Sequence, residues 1–248
     1  MTAGRPGDAG SSSPVEVDTR RARPRLLAGV VAMAVSAVLV TVLALLVRDS
    51  SGPVVRFDQR VVTTTTGWAL RHEWLADAAD IGGYVLHPFV FRFAVLLAAI
   101  WLWRRDARTA ALWAAITMLV GTLLGALIKL GVSRARPVLD HPVSSASGYS
   151  FPSGHALNAM LGCTLLVVLL WRPAEKRRRR AALLAVAALL VLATGFDRLL
   201  LGVHFPSDVL AGFLVGGLVV ASSWVAFGPI LRQRALRGAE RAVEDQTD

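Results

Sequence analysis

LLAGVVAMAVSAVLVTVLALLV, residues 26–47, is a run of 22 residues without a charge, and it is bounded by Arg25 and Arg48. An α-helix of this length reaches about 33 Å, which is enough to cross the ~30 Å hydrocarbon layer of a bilayer. The run is longer than the apolar part of a signal peptide, and no small-residue cleavage site follows it. It therefore predicts an uncleaved membrane-spanning helix.

Five more apolar runs of similar character follow, at residues 85–103, 109–131, 155–171, 181–197 and 207–228. Hydrophobic residues make up 54% of the 248 residues and charged residues only 18%, whereas a soluble domain is nearer one quarter charged. The sequence predicts an all-α polytopic membrane protein, a bundle of six transmembrane helices. Residues 25–228 form the predicted core, between a disordered tail at 1–24 and a charged tail at 229–248.

The net charge of +10 does not indicate a nucleic-acid-binding protein, because the charges are confined to short clusters between apolar runs. If the N-terminus is cytoplasmic, the inner segments hold 18 of the 27 basic residues, as the positive-inside rule requires. Both termini are then cytoplasmic, and the protein lies in the cell membrane, the inner membrane of a bacterium. The single cysteine, Cys163, excludes an internal disulfide and a cysteine-based zinc site.

Two regions depart from the simple pattern of spans and loops. Residues 54–82 mix apolar and charged positions, which predicts an amphipathic helix on the outer surface. Four large apolar side chains would share one face of this helix: Trp68, Leu70, Trp74 and Leu75. Arg92 lies inside the second predicted span, where a charge is costly, so that it marks either a functional residue or an error in the span.

Polar residues cluster at the predicted outer ends of four spans. Lys129 lies near the end of the third span and Arg136-Pro137 follows it, Ser153-Gly154-His155 precedes the fourth, and the fifth and sixth are joined by a segment from Arg198 through His204 to Asp208. In the predicted topology all these segments emerge on the outer face. They therefore converge on one site, whereas His72, His87 and His141 are expected to be ordinary surface histidines.

These residue types suit a phosphate group. Three cations beside the N-terminus of a helix capped by Ser153 form an anion site, since the first backbone N–H groups of a helix have no partner within it. Asp208, four residues after His204, can reach its imidazole, fix the tautomer and leave the other ring nitrogen basic. His155 supplies a second imidazole for proton transfer. Arg134 lies close in sequence and is expected at the site entrance.

The pattern Lys129-x6-Arg136-Pro137, Pro152-Ser153-Gly154-His155 and Arg198-x5-His204-x3-Asp208 resembles the three-part signature of the type 2 phosphatidic acid phosphatase (PAP2) superfamily. One position departs from it: Asp197 stands where a serine usually precedes the arginine. A carboxylate there can pair with Arg198 and orient it, or it can weaken anion binding.

The resemblance implies an integral-membrane phosphatase that acts on a lipid phosphate or diphosphate. His204 would attack phosphorus to form a phosphohistidine, Asp208 would orient His204, and His155 would protonate the leaving oxygen and then activate water. The phosphoryl oxygens would be held by Lys129, Arg136, Ser153, Gly154 and Arg198. No metal or other cofactor is implied. The expected substrates are prenyl diphosphate, phosphatidylglycerol phosphate or phosphatidic acid, met in the bilayer, and no nucleic acid is expected.

Other functions remain open at this point. The phosphoryl group could pass from the histidine to a lipid or sugar acceptor instead of water, which would make the protein a phosphotransferase. Vanadate-dependent haloperoxidase chemistry is less favoured, because six spans are more simply used for a lipid substrate. A non-enzymatic lipid-binding protein predicts losses among the catalytic residues, yet both histidines and Asp208 are present.

Overall fold

The computed structural model describes residues 19–48, 52–171 and 176–244, and within these ranges the chain is helical with no β-strand. The helices are, in order, α1 (Thr19–Leu46), α2 (Pro53–Arg71), α3 (Glu73–Val85), α4 (Pro88–Arg104), α5 (Arg108–Val132), α6 (Gly154–Leu170), α7 (Arg177–Leu200) and α8 (Pro206–Glu244). The predicted all-α class is confirmed.

Four helical stretches are long and apolar enough to cross a membrane: Glu73–Arg104, Arg108–Val132, Arg177–Leu200 and Pro206–Pro229. Two shorter apolar stretches, Met33–Leu46 and Gly154–Leu170, coincide with the first and fourth predicted spans. The polytopic membrane architecture is therefore confirmed, while the count of six spans stays a prediction. The predicted core and tails also stay a prediction; α1 begins at Thr19 and α8 continues to Glu244.

Helix α6 is the centre of the bundle and packs against α4, α5, α7 and α8. Its residues Leu157, Leu161 and Leu165 recur every four positions and are almost completely buried, as expected for a helix with neighbours on several sides. Leucine and valine side chains on the outer helices are instead exposed, which suits contact with lipid.

Small residues bring α8 against the start of α6. A Cβ atom at Gly212 would lie 2.6 Å from the backbone oxygen of Ser153, so only glycine fits there. The backbone N–H of Ser153 also donates to the oxygen of Asp208, at 2.9 Å. The N-termini of α6 and α8 are thereby fixed side by side.

The segment at 54–82 is not the single amphipathic helix that the sequence predicted. It forms α2 and α3, separated at His72, whose backbone is extended (φ −133°, ψ 93°). The predicted common face is wrong as well, because Leu75 is buried while Trp68, Leu70 and Trp74 are exposed. The face of α2 that packs inward is lined instead by small or polar residues: Asp58, Val62, Thr66 and Ala69.

The end of the bundle opposite the predicted site carries exposed tryptophans covered by arginines. Three guanidinium groups lie 5.0–5.6 Å from the indole centroids, within the range of a cation–π contact. The pairs are Arg105 with Trp101, Arg108 with Trp103 and Arg180 with Trp171. Such amphipathic pairs suit the boundary between lipid and water.

Candidate active site

The three motif segments meet at one end of the bundle. Helices α5 and α7 end there, and α6 and α8 begin there. Direct contacts join the segments: Arg136 Nη1 lies 3.3 Å from His204 Nε2, and Arg198 Nη1 lies 3.1 Å from His155 Nε2. The structure thus brings together residues that are up to 79 positions apart in the sequence: Lys129, Arg136, Ser153, Gly154, His155, Arg198, His204 and Asp208.

His204 is buried in the turn between α7 and α8, with 2% of its surface exposed. Its Nδ1 atom lies 3.5 Å from Oδ2 of Asp208, but the two are not aligned as a hydrogen bond, and Nδ1 has no other partner among the described residues. Asp208 Oδ2 accepts a 2.9 Å bond from the N–H of Phe205. The carboxylate is thus held at the Nδ1 edge of the ring.

The opposite ring nitrogen of His204 faces a cation. Arg136 Nη1 is a permanent donor, so Nε2 accepts from it and the neutral ring carries its proton on Nδ1. Burial lowers the pKa of His204 to about 4, against the opposing effect of Asp208. The imidazole is therefore neutral near pH 7, with its lone pair on the atom that faces the cations.

His155 repeats this arrangement at the start of α6. Its Nε2 atom accepts from Arg198 Nη1, and its ring packs edge-to-face against His87 with centroids 5.4 Å apart. His87 was predicted to be an ordinary surface histidine, and it is exposed, but it caps α4 by accepting from the N–H of Phe89 and lies against a site residue. No sequence signal pointed to that contact.

Backbone carbonyl groups hold the side chains of Lys129 and Arg136 in place. Lys129 Nζ donates to the oxygen of Tyr149 at 2.6 Å, and the Arg136 guanidinium donates to the oxygens of Ser147, Gly148 and Val203. These neutral acceptors fix the side chains without cancelling their charge. The positive charge stays available to an anion.

The start of α6 has the form of an anion site. Ser153 is its N-cap, as predicted, and its Oγ accepts from the N–H of Ala156. The first backbone bond of the helix is donated by Leu157, so the N–H groups of Gly154 and His155 lie before it. A Cβ atom at Gly154 would meet nothing within 4 Å, which leaves open space next to these donors.

Asp197 pairs with Arg198 through both Nε, at 2.8 Å, and Nη2. The pair is nearly buried, and it leaves Nη1 as the nitrogen that reaches His155. Of the two effects considered for the carboxylate, orientation of the guanidinium is the one that this geometry supports. Asp197 Oδ1 has no hydrogen-bond partner among the described residues, and it lies 2.5 Å from the position that a Cβ atom at Gly82 would take.

Arg134 does not lie at the site entrance, as the sequence suggested, but is buried behind His204. Its Nη1 atom donates to Ser207 Oγ and Asp208 Oδ1, both at 2.7 Å, and its Nη2 atom to Asp58 Oδ2 at 2.8 Å. The guanidinium also covers the ring of Phe205 at 4.1 Å. The expectation failed because a charged residue in a loop was assumed to face water, whereas two carboxylates hold this one inside.

Arg92 belongs to the second turn of α4. Its Nε atom donates to Oδ1 of Asn158 at 2.9 Å, and Asn158 Nδ2 donates to the oxygen of Gly154 at 2.7 Å. The side-chain amide of Asn158 thus links Arg92 to the first turn of α6. Helix α4 begins at Pro88, three residues later than the predicted second span, so Arg92 lies one turn from the N-terminus of this helix.

Within the described residues no three His, Cys, Asp or Glu side chains are grouped so that they could hold a metal ion. Lys129, Arg136 and Arg198 bring positive charge to the site, and the two histidines have their Nε2 atoms directed at arginines. The two carboxylates, Asp197 and Asp208, lie against Arg198 and the Nδ1 edge of His204. The hydrogen-bond donors and positive charges at this site suit an anion.

Comparison with known proteins identifies the family. The model of the PAP2 superfamily matches residues 110–230, which contain all eight predicted site residues. An undecaprenyl-diphosphatase of Bacillus subtilis, BcrC, is 32% identical over 154 residues, or 60% of this chain and 74% of the relative. The chain belongs to the PAP2 superfamily. The predicted enzyme class, a phosphatase, is confirmed with it.

Two further similar proteins agree with this assignment. Decaprenylphosphoryl-5-phosphoribose phosphatase of Mycobacterium tuberculosis is 35% identical over 152 residues, covering 59% of this chain and 77% of the relative. The crystal structure of a transmembrane PAP2 type phosphatidylglycerolphosphate phosphatase from Bacillus subtilis superposes with a TM-score of 0.62 over 76% of this chain and 94% of the other, at 23% identity. That structural likeness confirms the PAP2 fold in a membrane protein.

Proposed function

We propose that this PAP2 protein hydrolyses a lipid phosphate or diphosphate through a phosphohistidine on His204, without a metal ion. The observation that carries the proposal is the pair of histidines at one end of the bundle, each with Nε2 against an arginine. A phosphate placed between them would take the arginine N–H groups and leave both Nε2 atoms free to react.

In the first step Nε2 of His204 attacks phosphorus while the bond from phosphorus to the leaving oxygen breaks in line. Once the phosphate has taken Arg198 from its Nε2, His155 binds a proton there and donates it to that oxygen, so the lipid alcohol or lipid phosphate leaves with its oxygen protonated. The growing charge on the phosphoryl oxygens is balanced by Lys129, Arg136 and Arg198, together with the N–H groups at the start of α6. Asp208 keeps the Nδ1 proton of His204 in place.

In the second step His155, now deprotonated, takes a proton from water as the water oxygen attacks the phosphohistidine. The P–N bond breaks, its electron pair returns to His204, and inorganic phosphate forms. No electron is gained or lost and no metal is needed to balance the charge, since three cations and backbone dipoles surround the group.

A lipid substrate follows from where the site lies. The candidate residues stand at the ends of apolar helices whose exposed side chains suit lipid, so a head group can enter while its chains remain in the bilayer. The relatives named for undecaprenyl diphosphate and decaprenylphosphoryl-5-phosphoribose act on polyprenyl compounds, which supports a prenyl diphosphate or another lipid phosphate as substrate here.

Phosphate release from a panel of lipid phosphates tests the proposal. We expect the detergent-purified protein to release phosphate from a prenyl diphosphate, phosphatidylglycerol phosphate or phosphatidic acid, equally well with and without excess chelator. Orthovanadate should inhibit, because it adopts the five-coordinate geometry of the transferring group and uses the same donors. Loss of activity in chelator that magnesium restores would contradict the metal-free mechanism. Activity on none of the lipids would contradict the substrate class.

The proposed orientation places both termini in the cytoplasm and residues 132–154 outside, in the cell membrane. Ser145 and Arg178 are exposed and lie at opposite ends of α6, and the native Cys163 is buried. We expect a membrane-impermeant thiol reagent added to intact cells to label Ser145→Cys but not Arg178→Cys. Labelling of Arg178→Cys alone would reverse the topology, and equal labelling in permeabilised cells is the control for accessibility.

A further inference from the structure

A closed network of charges lies directly behind His204. Asp58, in the first turns of α2, has no exposed surface and accepts from three donors: Nη2 of Arg134, the backbone N–H of Ser207 at 3.1 Å and the Ser207 hydroxyl. Arg134 divides its guanidinium between Asp58 and Asp208. The two carboxylates therefore share one cation inside the protein.

The charges of this network do not cancel. Two carboxylates and one guanidinium leave one negative charge, and the carboxylate nearest to a catalytic group is Asp208, beside His204 Nδ1. If Asp58 were absent, Arg134 would have Asp208 as its single carboxylate, and the cluster would be neutral. Because charges in a buried environment are poorly screened, that difference acts directly on His204.

His204 needs a negative neighbour most when it reacts. As Nε2 forms its bond to phosphorus, the ring becomes positively charged while it keeps the proton on Nδ1. A net negative cluster at the Nδ1 edge stabilises that charge in the transition state more than in the resting enzyme. Such a contribution raises kcat rather than substrate affinity.

We propose that Asp58 is a positioning residue of the phosphatase, which binds one arm of Arg134 so that Asp208 retains its negative charge toward His204. It acts through Arg134 and Asp208 and does not contact the phosphate site itself. The inference depends on the proposed role of His204 as nucleophile. It adds to the site a residue of α2, a helix that lies outside all three sequence motifs and outside the matched residues 110–230.

A charge-balance cycle tests this role with the variants Asp58→Asn, Arg134→Gln and the double variant. Asp58→Asn makes the cluster neutral. Arg134→Gln leaves two buried carboxylates without a cation, and such a pair does not keep both charges. The double variant restores one negative charge on Asp208. We expect each single variant to lose about 10–100-fold in kcat, the usual effect of a partner that orients a reactive group, with KM changed less than about threefold. The kcat of the double variant should be at least about fivefold higher than that of the less active single variant.

Losses that multiply in the double variant would overturn the proposal, because a purely structural network has no reason to recover. So would equal effects on KM and kcat. Should Arg134→Gln not fold, Asp58→Glu decides the question: a retained carboxylate should restore at least part of the kcat lost in Asp58→Asn, and no restoration would refute a charge effect. Thermal unfolding in detergent identifies misfolded variants.

Thr65→Val is the matched control on α2. Thr65 Oγ1 donates to the oxygen of Leu199 at 3.0 Å and so ties the same helix to α7 without contacting the network. It should leave kcat within about twofold of the wild type, and a loss as large as that of Asp58→Asn would assign the effect to helix docking. Failure of the proposed function is seen separately, as absence of an acid-labile phosphoenzyme in the wild type.

Discussion

Replacing His204 by alanine should abolish phosphate release and remove the trapped phosphoenzyme. The variant lacks the only side-chain nitrogen that the proposed first step joins to phosphorus, and enzymes that lose such a group fall on the order of 10⁴-fold or more in kcat. The cations around the site remain, so lipid phosphate should still bind. The effect therefore belongs to kcat rather than to affinity.

The measurement is the initial rate on a lipid phosphate, together with acid-labile label retained on the protein after rapid denaturation. His141→Ala provides the matched control, since His141 is an exposed histidine of the segment between α5 and α6 and the variant should retain full activity. A labelled phosphoenzyme in His204→Ala would show that another residue is the nucleophile. Wild-type turnover without any trapped label would favour direct attack by water.

His155→Ala should have an effect that depends on the leaving group. General acid assistance is worth about 10²–10⁴-fold, and it matters most when the departing oxygen is that of a lipid alcohol. A nitrophenolate leaves without a proton. The variant should therefore lose about 10²-fold or more on a lipid monophosphate and considerably less on nitrophenyl phosphate.

The two substrates compared on the same preparation provide the control for folding and for the amount of active protein. Equal losses on both would mean that His155 binds the phosphoryl group rather than protonating the leaving oxygen. A phosphoenzyme that accumulates with nitrophenyl phosphate is a further expected result, because the same variant also lacks the base that activates water in the second step.

The sequence alone predicted the helical membrane architecture, and the reason is physical. Uncharged runs such as residues 26–47 have few other stable environments, and the chain between them is too short to form separate domains. The meeting of Ser153, Arg198 and His204 at one end was predictable for a related reason: consecutive spans alternate in direction, so the ends of α5 and α7 and the starts of α6 and α8 must share a face.

What could not be predicted depends on contacts rather than on periodicity. The apolar and polar residues of 54–82 fit one amphipathic helix, and nothing local marks the break at His72. Asp58 lies on the inward face of α2, but its partner Arg134 is 76 residues away, and only the fold shows that the two meet. The same holds for His87, which touches His155 because α4 begins beside α6.

The arginines that face His155 and His204 in the resting site also bear on product release. Inorganic phosphate is an anion like the phosphate group of the substrate, so a site that only attracted phosphate would also retain the product. Here Nε2 of His204 lies 3.3 Å from Arg136, and Nε2 of His155 lies 3.1 Å from Arg198. Both arginines would therefore have a hydrogen-bond acceptor after phosphate leaves. In the proposed mechanism the two histidines would therefore compete with the product for Arg136 and Arg198 and so favour its release.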